Sequence, residues 1–191
     1  MHEDNDLLSK CCMATVQIEG DPKEGTMYYV CKKCNQACDT ITKTVRPSWD
    51  SYFLKMAEHV ATRSTCLRRQ IGCIVVKEKR ILATGYNGAA SGLKHCSERG
   101  GCWRERNKIP SGERQEKCMA VHSEINAICQ AAKFGIRICG ADLYCTNLPC
   151  ITCAKAIIQC KIKNVYYKGE YPDIATTDLF KEANINLFIF P

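Results

Sequence analysis

Sixteen of the 191 residues are cysteine, and no other feature limits the fold so strongly. Thiols at that density either pair with one another or hold metal. Disulfide-dense chains are short, secreted and poor in core residues. Here 46% of the residues are hydrophobic, enough for a core. The N-terminus, Met1-His-Glu-Asp-Asn-Asp6, is acidic and lacks the apolar centre of a signal peptide. Apolar runs such as Ile74-Val75-Val76 stop far below the roughly 18 residues of a membrane helix. A soluble, cytoplasmic protein is expected. Cys31/Cys34 and Cys150/Cys153 stand at the Cys-x-x-Cys spacing that puts two thiolates on one metal. Metal binding is therefore favoured over a disulfide scaffold.

The net charge of +7 is uneven: residues 1–46 hold six Lys/Arg and seven Asp/Glu, the remainder 21 and 13. A basic excess suits a phosphate-bearing ligand, but charge alone does not separate that from solubility. Residues 1–46 read as a small zinc-ribbon-like module with its linker. Cys11-Cys12 precede a turn at Glu19-Gly-Asp-Pro-Lys-Glu-Gly25, an apolar strand from Met27 to Val30, Cys31-Lys-Lys-Cys34 and Cys38. So few apolar residues need a metal to hold them together. Adjacent cysteines strain a shared ion, so the expected ligands are Cys12, Cys31, Cys34 and Cys38, with Cys11 replacing Cys12 as the alternative.

Residues 47–191 form the second expected domain. Tyr52, Phe53, Met56 and Val60 recur at helical spacing behind the N-cap Ser48, with Asp50 in the first turn. Strands are expected at 71–76, 80–86, 141–146, 163–167 and 185–190. Helices are expected at 122–134, 150–160 and 177–183, and 87–117 reads as a long polar loop. Alternating strands and helices predict an α/β sandwich with helices on both faces of one sheet.

Two motifs open two of these helices: His122-Ser123-Glu124 and Pro149-Cys150-Ile151-Thr152-Cys153. One imidazole and two thiolates give Zn²⁺ three ligands and leave a fourth position open. Both helix dipoles favour thiolate there. Zinc lowers the pKa of water towards about 7. Glu124 is placed to move protons between that water, a ring nitrogen and a departing amine. The bland alternatives are a structural His122 and a closed four-thiolate site that drafts Cys118 or Cys145. They do not account for the ordered His-x-Glu…Pro-Cys-x-x-Cys set, which is the signature of zinc deaminases.

The chain from about 47 to 190 resembles the deoxycytidylate (dCMP) deaminase family. The resemblance rests on Thr62-Arg-Ser-Thr-Cys66, Gly85-Tyr-Asn-Gly88, Pro110-Ser-Gly-Glu-Arg114, Val121-His-Ser-Glu124, Asn126-Ala-Ile128, Pro149-Cys-x-x-Cys153 and Glu170-Tyr-Pro-Asp173. It implies a cytidine deaminase-like three-layer sandwich, a five-stranded mixed sheet flanked by helices. It implies hydrolysis of dCMP to dUMP and ammonia, feeding thymidylate synthesis. It also implies a homohexamer activated by dCTP and inhibited by dTTP, with Mg²⁺ accompanying the triphosphate and the segment 85–114 as the effector region. Ser123 departs from the Ala common in the family.

For the substrate the resemblance suggests Asn87, whose amide both donates and accepts, or which simply shapes an Asn-Gly turn. Tyr167 is suggested near the base, or as core. Arg63 and Arg68 suit a phosphate because guanidinium binds it bidentately, or are surface charges. The resemblance further implies a structural zinc on Cys66, Cys96, Cys102 and Cys118, with His95 as an alternative ligand. Cys73, Cys129, Cys139, Cys145 and Cys160 read as core residues. The competing functions are a bifunctional dCMP/dCTP deaminase, a deaminase of tRNA or single-stranded DNA, and a non-catalytic interaction protein. A polynucleotide is disfavoured because stacking aromatics are expected for it and the loop offers only Trp103.

Overall fold

The structure, a computed structural model, describes residues 7–21, 23–42, 46–110, 112–169 and 174–190. The chain divides into two compact units, Met1–Pro47 and Ser48–Pro191.

In the first unit, β1 (Leu7–Ser9) pairs antiparallel with β4 (Thr40–Thr42), and β2 (Val16–Glu19) with β3 (Tyr28–Cys31). Its buried hydrophobic side chains are Val16, Val30 and Cys31, with Ser9 beside them. That core is too small to hold four short strands by burial alone. Only β3 was expected from the sequence. It stands out as the continuous apolar run Met27 to Val30, whereas the other three strands, three or four residues long, carry too few alternations to show a period.

The second unit begins with α1 (Trp49–Ala61), where the backbone N–H of Ser51 donates to Ser48 Oγ at 3.2 Å. A hairpin follows, β5 (Gly72–Lys77) and β6 (Arg80–Tyr86), turning through Glu78 and Lys79 at φ 51° and 60°. Two left-handed residues make the tight turn that matches strand twist. The five-stranded sheet runs β11-β10-β9-β5-β6, where β9 is Asp142–Cys145, β10 Asn164–Lys168 and β11 Asn186–Phe190. Strands β9, β10 and β11 are parallel and β5 is antiparallel to both neighbours. The parallel half is connected through α4 (Ile151–Gln159) and α5 (Ile174–Glu182). This is the mixed sheet expected from the sequence.

Alternate strand residues serve opposite faces. Ile74, Val76 and Tyr144 pack with Phe53, Leu54 and Ala57 of α1. Cys73, Val75, Leu143, Cys145 and Val165 pack with Ala154 and Ile157 of α4 and with Ala127 and Ala131 of α3 (Ser123–Lys133). Three layers result. Two glycines set the spacing between them. A Cβ on Gly72 would strike the α1 backbone at Ala57 and Ala61, and one on Gly85 would strike α3 at Ser123 and Ala127. Of the cysteines expected in the core, Cys73 and Cys145 are buried and Cys160 is half-buried, but Cys129 and Cys139 are exposed.

The segment expected as loop is partly ordered. β7 (Gly88–Ala89) pairs with β8 (Ala120–Val121) and closes its base. Between them lie a 3-10 turn at Cys96–Arg99, α2 (Trp103–Arg106) and a second 3-10 turn at Gln115–Lys117. Among the described residues no helix is long and apolar enough to cross a membrane.

Candidate active site

His122 is the N-cap of α3 and Cys150 the N-cap of α4, and neither side chain caps its own helix. Residues that usually cap are Ser, Thr, Asp and Asn. Here the two helices forgo that bond and turn an imidazole and a thiol towards a common point. Cys153, in the first turn of α4, joins them. Cys150 Sγ and Cys153 Sγ each lie 3.3 Å from His122 Nδ1, and all three donor atoms fall within 4.8 Å of one another. Tetrahedral zinc, with Zn–S about 2.3 Å and Zn–N about 2.0 Å, sets S···N near 3.5 Å. The three residues therefore fit a zinc ion.

The protonation states agree with that use. Hydrogen bonds from Cys153 and His122 draw the Cys150 thiol down to about 4. Its hydrogen bond and charge in turn raise His122, and its hydrogen bond together with burial raises Cys153. Protons held on His122 and Cys153 are the ones a cation displaces. Glu124 is 5% exposed, and burial pushes its carboxyl above the usual carboxylate range. Ser123 Oγ donates to Glu124 Oε2 at 2.8 Å. An Ala at that position has no such bond to make.

A cavity of about 270 Å³ opens on His122, Glu124 and Cys150. Of the residues singled out for the substrate, Asn87 and Arg68 line it and Arg63 and Tyr167 do not. Arg63 is exposed beyond the end of α1, and Tyr167 sits in β10 in register with Cys145 and Ile189. Asn87 is mostly committed to structure. Its Oδ1 accepts from Ile71 N at 2.9 Å and Ser64 Oγ at 2.6 Å, and its Nδ2 donates to Arg69 O at 2.9 Å. One Nδ2 hydrogen is left for a ligand. Arg68 Nη1 donates to Ile109 O at 3.3 Å.

Sequence reasoning missed Arg69 and Arg104, which also line the cavity. Arg104 Nη2 donates to Pro110 O at 2.8 Å, while its Nε is buried without a hydrogen-bond partner among the described residues. The nearest signal was position: Arg104 lies two residues after Cys102, one of the cysteines already singled out. Glu170-Tyr-Pro-Asp173 and Ser111 lie outside the described residues.

Cys66, Cys96, Cys102 and Cys118 all line the same cavity. Burial, then the charge of the other three, raises the Cys96 thiol. Among the described residues, however, only two groups of three or more donors converge within 4.8 Å, and this quartet is neither. His95 is exposed and does not line the cavity. The second group is Cys11, Cys12, Cys31 and Cys34. Cys11 stands in it where Cys38 was expected, because a tight turn ending at Met13, φ 52°, puts both adjacent thiols on one side.

Three potential metal donors at two helix starts, a buried carboxylate and an adjoining cavity make a candidate metal centre on an α/β sandwich. Residues 47–168 match the family described as the cytidine and deoxycytidylate deaminase zinc-binding region, and the chain belongs to that family. Zinc is accordingly the metal the site is built for. The chain is 41% identical over 143 residues to a deoxycytidylate deaminase of Schizosaccharomyces pombe, covering 74% of this chain and 44% of that protein. It thus spans less than half the length of that relative. It is 38% identical over 144 residues to ComE operon protein 2 of Bacillus subtilis, covering 74% and 71%. The dCMP deaminase of cyanophage S-TIM5, solved in complex with dCMP and dUMP, aligns at TM-score 0.62 and 32% identity over 76% of this chain and 99% of that one.

Proposed function

We propose that the protein hydrolyses dCMP to dUMP and ammonia, with residues 47–191 as the deaminase domain and 1–46 as a separate metal-stabilised module. The observation that carries this is the clustering of His122, Cys150 and Cys153 beside buried Glu124. The likeness to the cyanophage enzyme crystallised with dCMP and dUMP supports the choice of substrate.

His122, Cys150 and Cys153 hold the zinc. When bound, zinc supplies Lewis acidity that lowers the pKa of a water towards about 7. Glu124 does the proton work. Its Oε2 is held by Ser123, so Oε1 accepts the first water proton and passes it to the pyrimidine ring nitrogen; it then takes the remaining proton from the hydroxyl added at C4 and delivers it to the leaving amine. Burial raises that carboxyl above the usual carboxylate range, which makes it a better proton carrier between those steps. Water adds at C4, the C–N bond to the amine breaks, and ammonia leaves. Arg68, Arg69 and Arg104 offer guanidinium groups for a single phosphate, and the spare Nδ2 hydrogen of Asn87 is available to the sugar or base.

Two structural zincs accompany the catalytic one, giving three per chain. The deaminase-unit structural zinc is on Cys66, Cys96, Cys102 and Cys118, which must close in on it. The protein assembles as a homohexamer, with dCTP activating and dTTP inhibiting and Mg²⁺ accompanying the effector. It works in the cytoplasm, where sixteen thiols stay reduced. The test is ammonia release from dCMP, dCTP, deoxycytidine and single-stranded DNA by zinc-loaded protein. Turnover of dCMP well above deoxycytidine is expected. Equal turnover of dCTP converts the reading to a bifunctional enzyme, and turnover of DNA alone overturns it.

A further inference from the structure

Two five-residue segments of the N-terminal unit fold alike. Ser9-Lys-Cys-Cys-Met13 leaves β1, and Cys31-Lys-Lys-Cys-Asn35 leaves β3. In each, the fifth amide donates to the first carbonyl: Met13 N to Ser9 O at 3.0 Å, Asn35 N to Cys31 O at 2.8 Å. In each, the first amide donates to the sixth carbonyl: Ser9 N to Ala14 O at 2.8 Å, Cys31 N to Gln36 O at 3.0 Å. Both fifth residues are left-handed, at φ 52° and 56°. Ser9 is therefore the counterpart of Cys31, and Cys12 of Cys34.

The second turn carries thiols at its first and fourth positions. The first turn carries a hydroxyl at its first position, and its second thiol is displaced to the third, Cys11. Ser9 is fully buried and its Oγ donates to Cys31 Sγ at 3.2 Å. Cys11 Sγ lies 3.6 Å from Cys34 Sγ, and the sulfurs of Cys11, Cys12, Cys31 and Cys34 all fall within 4.8 Å of one another. Four thiolates on tetrahedral zinc stand about 3.8 Å apart.

We propose that Cys11, Cys12, Cys31 and Cys34 bind one zinc-class divalent ion, and that Ser9 occupies a vacated ligand position and donates to the Cys31 thiolate. Four soft ligands select zinc over magnesium or calcium, and a set closed by the protein makes the site structural. Cys38 lies outside the ligand set. The assignment rests on the metal-stabilised N-terminal module proposed above and names its ligands; it does not depend on the deamination reading, because those ligands lie in the other unit.

The test uses the full-length chain and counts bound zinc per chain, with the spectrum of the cobalt-substituted protein as a second readout. Cys11→Ser is expected to lose one ion per chain and Cys38→Ser none. Ser9→Ala is expected to keep the ion but bind it about 10- to 100-fold more weakly. The sharpest arm moves the thiol to its twin position: Cys11→Ser combined with Ser9→Cys is expected to regain the ion. That regain also shows that loss in the single variant is loss of a ligand rather than of folding. Loss of the ion in Cys38→Ser, its retention in Cys11→Ser, or failure of the double variant to regain it overturns the assignment. So does a Cys11–Cys34 disulfide in the freshly isolated protein, detected by alkylation and mass spectrometry.

Discussion

Glu124 has one carboxylate oxygen tied to Ser123, and on the proposed reading the other carries the proton transfers. Glu124→Gln keeps the size and can still accept from Ser123, but it cannot take up a proton. Turnover of dCMP is expected to fall by about 10²- to 10⁴-fold with zinc content unchanged, measured on one preparation. A second residue-scale pair lies on the opposite face of the sheet. Tyr144 Oη donates to Asp50 Oδ1 at 2.7 Å, and burial with the Asp50 charge raises the phenol well above its usual range. Below pH about 10 the phenol is protonated folded and unfolded, so its contribution is complete. Above that the unfolded phenol ionises first, and stability falls as pH rises towards the folded value. Tyr144→Phe is expected to cost about 1–3 kcal/mol at pH 8 and to flatten this alkaline decline, in urea titrations at several pH values. The grouping of His122, Cys150 and Cys153 beside Glu124 was legible because the spacing of the two motifs carries it. Arg63 and Arg104 were not. Which arginine faces a cavity depends on how the segments after α1 and around α2 pack, and no local pattern encodes that.

At the scale of elements, α1, α3, α4, α5 and the five strands of the sheet were legible from helical spacing or from apolar runs between turn residues, whereas the four-residue α2, inside the segment expected as loop, was not. The β7–β8 pair was not: two residues have no period, and their partners lie about 30 positions apart. The close approaches at Gly72 and Gly85 were equally silent, since a glycine in a strand does not announce what presses on it. They separate two kinds of damage. A methyl group at Gly85 must push away the α3 backbone at Ser123 and Ala127, the turn that presents His122. Gly85→Ala is expected to cost about 1–3 kcal/mol and to weaken zinc binding. Gly72→Ala presses on α1 instead, with a similar loss of stability and unaltered zinc affinity. Urea unfolding and competition with a chelator distinguish the two.

For the whole molecule, the family match starts at residue 47 and the two compact units divide at 47/48. A chain beginning at Val45 is expected to keep dCMP turnover and to carry one zinc fewer, with any change in assembly read by light scattering. Loss of turnover in a folded truncation contradicts the division of labour. The grouping of Cys11 and Cys12 with Cys31 and Cys34 in the first unit was not legible in the sequence, because it depends on the turn that brings the two adjacent thiols together. That unit is also local in sequence, its four thiols lying between residues 11 and 34. Translation makes this a matter of timing. The N-terminal thiols leave the ribosome first, and Cys153 follows roughly 120 residues later, about 6–24 s at the usual ~5–20 residues per second. On the proposed assignment the nascent chain fills its architectural position before its chemical one exists.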